Sequence, residues 1–206
     1  MNNKPIDINQ RIPLYVLYAA LDSHINGTYS EDYILQQLRL EFKGENRLKK
    51  SLRIVSKIIL RNPLAEFIEE NRGQIKQAIK KKHDRNVILI ALLNSTFGFS
   101  FDTLQFLGKY LSVQDFVNRE TIKKSLANIY GGNRATENAI DSVIPMFIDA
   151  GLIKRETLGV YQQNADFKIT THVGYQIYIE SFKTNQKIND IQDYQLRDPY
   201  FLFIKI

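Results

Sequence analysis

Apolar residues in the first half of the chain recur at helical spacing. From Glu45 to Arg61, Leu48, Leu52, Val55 and Ile59 follow one another at intervals of four, three and four, which at about 100° per residue puts them on one stripe of a helix. The opposite face then carries Lys49, Lys50, Arg53, Lys57 and Arg61. Asn62-Pro63 interrupts the pattern, and PLAEFIEENRGQIKQAIKKK resumes it, with Pro63 at a first helical position and Leu64, Phe67, Ile68 and Ile75 facing inward. Upstream, PLYVLYAALDSH (13–24) is apolar on all sides and predicts a buried helix. Ser30 caps the next one ahead of Glu31 and Asp32, and Gly44 ends it. Downstream, NVILIALLNSTF (86–97) is apolar until Asn94 and predicts a central core helix, with another over 102–111.

The second half changes character. Asn118 stands as a cap before a helix with Ile122, Leu126 and Ile129 on one face, and Gly131-Gly132 supplies a turn. A second helix over 134–150 buries Ala139, Ile140, Val143, Ile144, Phe147 and Ile148 and turns Thr136, Glu137, Asn138, Asp141 and Ser142 outward. Pro145 inside it predicts a kink or an early end, and Gly151 is a natural residue to follow the last turn. Two β-like runs, LIKRET and DFKIT, flank LGVYQQNA, as in a hairpin with a long exposed loop. Thr170-Thr171 then caps a further helix. The polar tail ends in the apolar DPYFLFIKI, which must dock or add an edge strand.

Composition narrows the classes. With 44% hydrophobic and 24% charged residues over 206 positions, the chain has the make-up of an ordinary folded soluble protein, of one large domain or two small ones. The absence of cysteine excludes disulfides, cysteine zinc sites, iron–sulfur clusters and thiol catalysis. The start, MNNKPIDINQRIP, shows no signal pattern and no run approaches a membrane span, so a cytoplasmic protein without membrane contact is expected. The net charge of +6 is unevenly distributed: residues 45–85 hold 12 cations and 5 acids, a surplus of +7, while every other block lies near zero. Such a row of cations either follows a polyanion or is a solvated helix face.

Enzymatic patterns are missing. His24, His83 and His172 are far apart, with no HExxH spacing, Gly131-Gly132 lacks the Lys-Ser/Thr of a phosphate loop, and GxSxG does not occur. Glu69 and Glu70 are neighbours on a helix and do not converge on one substrate. FGFSF (97–101) presents aromatics at spacing two, for stacking bases or lining the core. No catalytic residue, metal or cofactor is expected.

Helix, glycine turn, helix, strand, loop, strand and Thr-capped helix, from Asn118 to Phe182, resemble a winged helix-turn-helix domain. That resemblance implies a reading helix with Arg134, Thr136 and Asn138 near its start for base edges, and Lys123, Lys124, Lys154, Arg155 and Tyr161 on the phosphate backbone. Glu137 and Asp141 share that surface and would repel phosphates. Contact with DNA and contact with protein therefore both stay open for this segment. In the basic block Arg47, Lys49, Lys50, Arg53, Lys57 and Arg61 are the candidate phosphate ligands.

Three segments, RLKKSLRIVSKIILRNPLAEFI, HDRNVILIALLN and ENAIDSVIPMFIDAGLI, together with the overall order, make the chain similar to the BrxA family of bacterial phage-defence (BREX) proteins. The resemblance implies a mainly α fold: a NusB-like N-terminal helical bundle (1–112) with the basic helix, a winged helix-turn-helix domain with a short β-hairpin (113–183), and a tail (184–206). It implies a non-enzymatic DNA-binding accessory protein, with double-stranded DNA as partner and other defence-system proteins beside it. The alternative is an adaptor whose winged domain and apolar tail dock a protein partner.

Overall fold

Residue 88 and its neighbours mark the centre of the molecule. In the computed structural model, which describes residues 3–204, the helix α6 (Lys82–Thr96) has every side chain from Val87 to Leu93 at zero exposure. A helix apolar on all sides has to be surrounded. It is enclosed by α1 (Leu14–Ile25), α3 (Glu45–Ile59), α7 (Gly98–Leu111), α9 (Arg134–Ala150) and, along most of its length, α10 (His172–Gln186). The remaining elements are α2 (Glu31–Arg39), α4 (Ala65–Glu70), α5 (Arg72–Ala78), β1 (Val117–Asn118), α8 (Arg119–Tyr130), β2 (Ile153–Thr157) and β3 (Val160–Gln163), followed by two short 3₁₀ turns. The protein is mainly helical with one small antiparallel sheet, and both halves of the chain contribute to a single hydrophobic cluster.

The helix starts follow local chemistry. Ser30 caps α2 through Tyr33 N–H, Thr171 caps α10 through Gly174 N–H, and Asn133 caps α9 through the N–H groups of Ala135 and Thr136. Asn118 occupies the cap position of α8 without a side-chain bond. Pro63 lies in a turn before α4 rather than at a first helical position, because the Asn62 side chain accepts from Leu64 N–H at 2.9 Å and folds the backbone there. The segment divides again at Asn71, whose amide donates back to the Phe67 carbonyl at 2.9 Å. α6 and α7 both begin earlier than expected, at Lys82 and Gly98.

Pro145 does not end α9, which runs unbroken to Ala150 and closes on Gly151 at φ +82°, with Leu152 N–H reaching the Phe147 carbonyl. Thr136 and Ser142, expected outside, are buried at 1% and 5% exposure. The Thr136 hydroxyl donates to the Gly131 carbonyl and so braces the turn, while the Ser142 hydroxyl donates to Asn138 one turn back.

The hairpin differs from expectation. β2 is the LIKRET segment, but its partner β3 lies inside LGVYQQNA, and Leu158-Gly159 closes a tight turn with Gly159 at φ +76°. Tyr161 pairs with Val117 on one side and Arg155 on the other, giving the order β1-β3-β2. DFKIT forms no strand. Phe167 instead plugs the core, stacked on His83, and Asp84 of α6 draws in the backbone of Thr170 and Thr171. The tail docks as a 3₁₀ turn over Pro199–Phe203, with Tyr200 fully buried between α7 and α10; the final two residues of DPYFLFIKI lie outside the described ones.

Candidate nucleic-acid interface

α3 presents a cationic face. Leu48, Val55 and Ile59 are buried and Leu52 is half-buried, as their spacing requires. Ile54 and Ile58 are buried as well, and the extended segment before α1, with its buried Ile8 and Ile12, reaches this side of the helix through a Gln10–Ser51 side-chain hydrogen bond, with Asp7 and Asn9 beside Ile54. Opposite stand Arg47, Lys49, Lys50, Arg53 and Lys57, all exposed, within an arc of about 160° and over about 15 Å of axial rise, and the exposed Arg61 follows just past the end of the helix. None of the six is ion-paired among the described residues. Two of the charged groups lie over rings, the Arg47 guanidinium over Phe42 at 4.4 Å and the Lys57 ammonium over Phe97 at 4.6 Å, which limits the freedom lost on binding.

Two shallow concavities open on this face and share Arg53 and Arg61. One, of about 340 Å³, adds Lys50, Lys57 and Asp7; the other, of about 280 Å³, adds Lys49 and Glu31. Burial pushes the Asp7 carboxyl above its usual range, against the lowering effects of nearby backbone N–H groups and of Lys57. Phe97 and Phe99 are buried, so FGFSF lines the core and offers no stacking platform.

The segment before α1 leads from this face to the α8–α9 turn. Asp7 accepts from Gly98 N–H beside Phe97, Lys4 N–H donates to the Ile129 carbonyl, and Asn3 stands against Gly131. Four residues of extended chain cover at most about 14 Å. The Lys57 end of α3 and the turn carrying Arg134 therefore lie at the two ends of one short strap. Arg134, Asn138 and Lys124 are exposed there, and none of them is ion-paired among the described residues.

The rest of the α8–α9 surface neutralises itself. Lys123 pairs with Glu137 and, at 3.8 Å, with Glu120, while Arg119 binds Asp141 and Glu120. The Lys123 hydrogen bond holds the Glu137 carboxyl below its usual range, and the same bond holds Lys123 above its own. On the hairpin, Lys154 pairs with Asp166 at 3.0 Å, whereas Arg155 is exposed and has no ion-pair partner among the described residues. Adjacent strand residues point to opposite faces, so these two do not act together. Two of the expected ligands are withdrawn from the outer surface. Thr136 is committed to the Gly131 carbonyl, and Tyr161 is buried in the central strand at 4% exposure.

Sequence reasoning missed Arg119, which ties α8 to α9, and the strap before α1. The Asn133 cap of α9, also missed, was findable, since an Asn directly ahead of an apolar helical period is a start signal; the strap carries no local signal at all. His24, His83 and His172 lie in separate places, and no group of three or more His, Asp or Glu among the described residues is arranged to hold a metal. No single helix among them is long and apolar enough to cross a membrane. The chain matches no protein-family model, no curated protein and no solved structure.

Proposed function

We propose that this is a non-enzymatic DNA-binding accessory protein that grips the duplex backbone mainly through the α3 face. The observation that carries the reading is the set of six exposed cations, five on one face of α3 and Arg61 just past its end, with no acid paired to any of them among the described residues. Over about 20 Å a duplex presents on the order of 12 phosphate charges, enough to engage all six. In this reading α8, α9 and the β2–β3 hairpin form a winged helix-turn-helix behind a NusB-like bundle, and Arg134, Asn138 and Lys124 extend the grip past the strap. The paired acids Glu137 and Asp141 argue for modest sequence preference, since a groove-reading surface has to tolerate neighbouring phosphates. The resemblance to the BrxA family supports a place in a bacterial phage-defence system.

A salt titration of duplex binding tests this. Contacts to six phosphates give a log–log slope of about −5, and Lys49, Lys50, Arg53 and Lys57 changed together to Gln reduce its magnitude by about 3.6. Glutamine keeps the apolar stems in place. A slope near zero in the wild type, or one unchanged in the variant, overturns the proposal.

The second reading, a protein adaptor, draws on the charge-balanced α8–α9 surface. In it the winged segment alone docks the partner, because the described part of the apolar tail is already buried against α7 and α10.

A further inference from the structure

The β2–β3 hairpin, the middle of α9 and the first residue of α8 enclose a cleft of about 190 Å³. That is room for on the order of six waters, hence for a group the size of one amino-acid residue. One wall is apolar. Ile144 and Pro145 form its floor, and Leu158 stands at its lip, 90% exposed at the hairpin turn. A lone leucine held this far into water at the tip of a tight turn contributes nothing to the core.

The other wall is polar. Arg119 is held by Asp141 from two nitrogens, so these two charges cancel, and Arg155 leaves the cleft with one net positive charge. Tyr161 is 4% exposed, lines the cleft, and its hydroxyl makes no hydrogen bond among the described residues. Since no sealed side-chain polar atom among the described residues lacks a partner, the Tyr161 hydroxyl is not shut into the core but reaches the cleft and is free to donate there. Burial raises the Tyr161 hydroxyl above its usual range, which keeps it a proton donor. Pro145 has no N–H, so the Asp141 carbonyl one turn back lacks its helical donor and is left as an acceptor.

One positive charge and one hydroxyl donor beside an apolar shelf, all within a residue-sized space, match an amino-acid carboxylate. We infer that this cleft is a docking site for a protein partner, capturing a peptide carboxylate that lies beside an apolar side chain. The carboxylate meets Arg155 and Tyr161, and the apolar side chain lies on Ile144, Pro145 and Leu158. A phosphate backbone is the poorer fit, since it needs repeated cations and the acids of α9 stand next to the opening. The cleft shares no residue with the α3 face, so a ligand in the cleft leaves those cations uncovered.

The probe is N-acetyl-leucine, titrated into isotope-labelled full-length protein and followed by two-dimensional amide NMR. Saturable shifts centred on Leu158, Gly159 and Tyr161 are expected, with affinity in the millimolar range proper to so small a ligand. N-acetyl-leucinamide is expected to bind about tenfold more weakly, as is the acid to Arg155→Gln. Leu158→Ser, at an exposed position, supplies a second variant that keeps the fold. The inference is overturned if no saturable shift appears, if the amide or inorganic phosphate binds equally well, or if duplex DNA shifts the same amides. Because duplex binding is scored on α3 variants, failure here and failure of the DNA reading are separately visible.

Discussion

Arg119, the first residue of α8, donates from both Nε and Nη2 to a single carboxylate oxygen of Asp141 on α9, at 3.0 and 2.7 Å. With the Lys123–Glu137 pair one turn further on, it fastens the two helices of the winged segment together. Arg119 and Lys123 are thereby tied to acids of the same surface, and the cations of α3 are not. Exposed ion pairs of this kind contribute little stability, about 0–1 kcal/mol each. Their larger consequence is for the field above the helix.

If α9 lies outside the main footprint, removing its acids changes duplex binding little. Glu137→Gln with Asp141→Asn is expected to leave affinity at physiological salt within about threefold of wild type, since charges beyond a Debye length of about 8 Å are screened. A fluorescence-anisotropy titration decides it. A rise of about a hundredfold would place α9 in the groove after all.

Asp84 fixes the α10 end of the molecule to α6. Its carboxylate accepts the N–H groups of Thr170 and Thr171 at 2.9 and 2.8 Å and their hydroxyls at 2.8 and 2.6 Å. Burial works against the charge, but the four hydrogen bonds outweigh it and hold the carboxyl below its ordinary value of 3.8. The unfolded chain therefore takes up this proton at a higher pH than the folded one. Stability from Asp84 is full above 3.8 and is lost as the pH falls through the lower folded value. Asp84→Asn is expected to cost about 1–3 kcal/mol at neutral pH, and the gap from wild type to close in acid. Urea unfolding across a pH series checks both parts, and a gap independent of pH would contradict the assignment.

Gly108 is required by the tail. A Cβ at this position in α7 would lie 2.0 Å from the Pro199 carbonyl oxygen, so Ala cannot be accommodated without lifting the 3₁₀ turn. Helix propensity by itself favours Ala over Gly by about 1 kcal/mol. Gly108→Ala is nevertheless expected to destabilise, by about 1–3 kcal/mol from overpacking, which corresponds to a Tm lower by roughly 2–12 °C for a chain of this length. An unchanged or higher Tm would show that the tail is not held there.

Tyr200 carries the polar part of the same docking. Its hydroxyl lies 3.2 Å from both the Asn94 amide and the Ser181 hydroxyl, and burial pushes that hydroxyl up to about 12. Tyr200→Phe keeps the aromatic packing on Tyr178 and Phe201 but leaves the buried Asn94 amide one partner short. The expected loss is about 1–3 kcal/mol in thermal unfolding. Full stability in the variant would mean that packing alone seats the tail.

Sequence alone determined what depends on neighbours along the chain. The 3.6-residue period of Leu48, Leu52, Val55 and Ile59 fixed a helix and its cationic face, the uniform apolarity of Val87 to Leu93 fixed a central helix, and Ser30, Thr171 and Gly151 fixed ends, because caps and amphipathic stripes are local. The tertiary structure decided everything that depends on distant partners. It chose Val160–Gln163 over DFKIT as the second hairpin strand, since Phe167 found a place on His83 and Asp84 took the backbone of Thr170 and Thr171. It withdrew Thr136 and Tyr161 from solvent and paired Lys123 and Arg119 with acids up to 22 residues away. Whether a charged side chain is free or already matched is a property of what folds against it, and no spacing rule along one strand or helix carries that information.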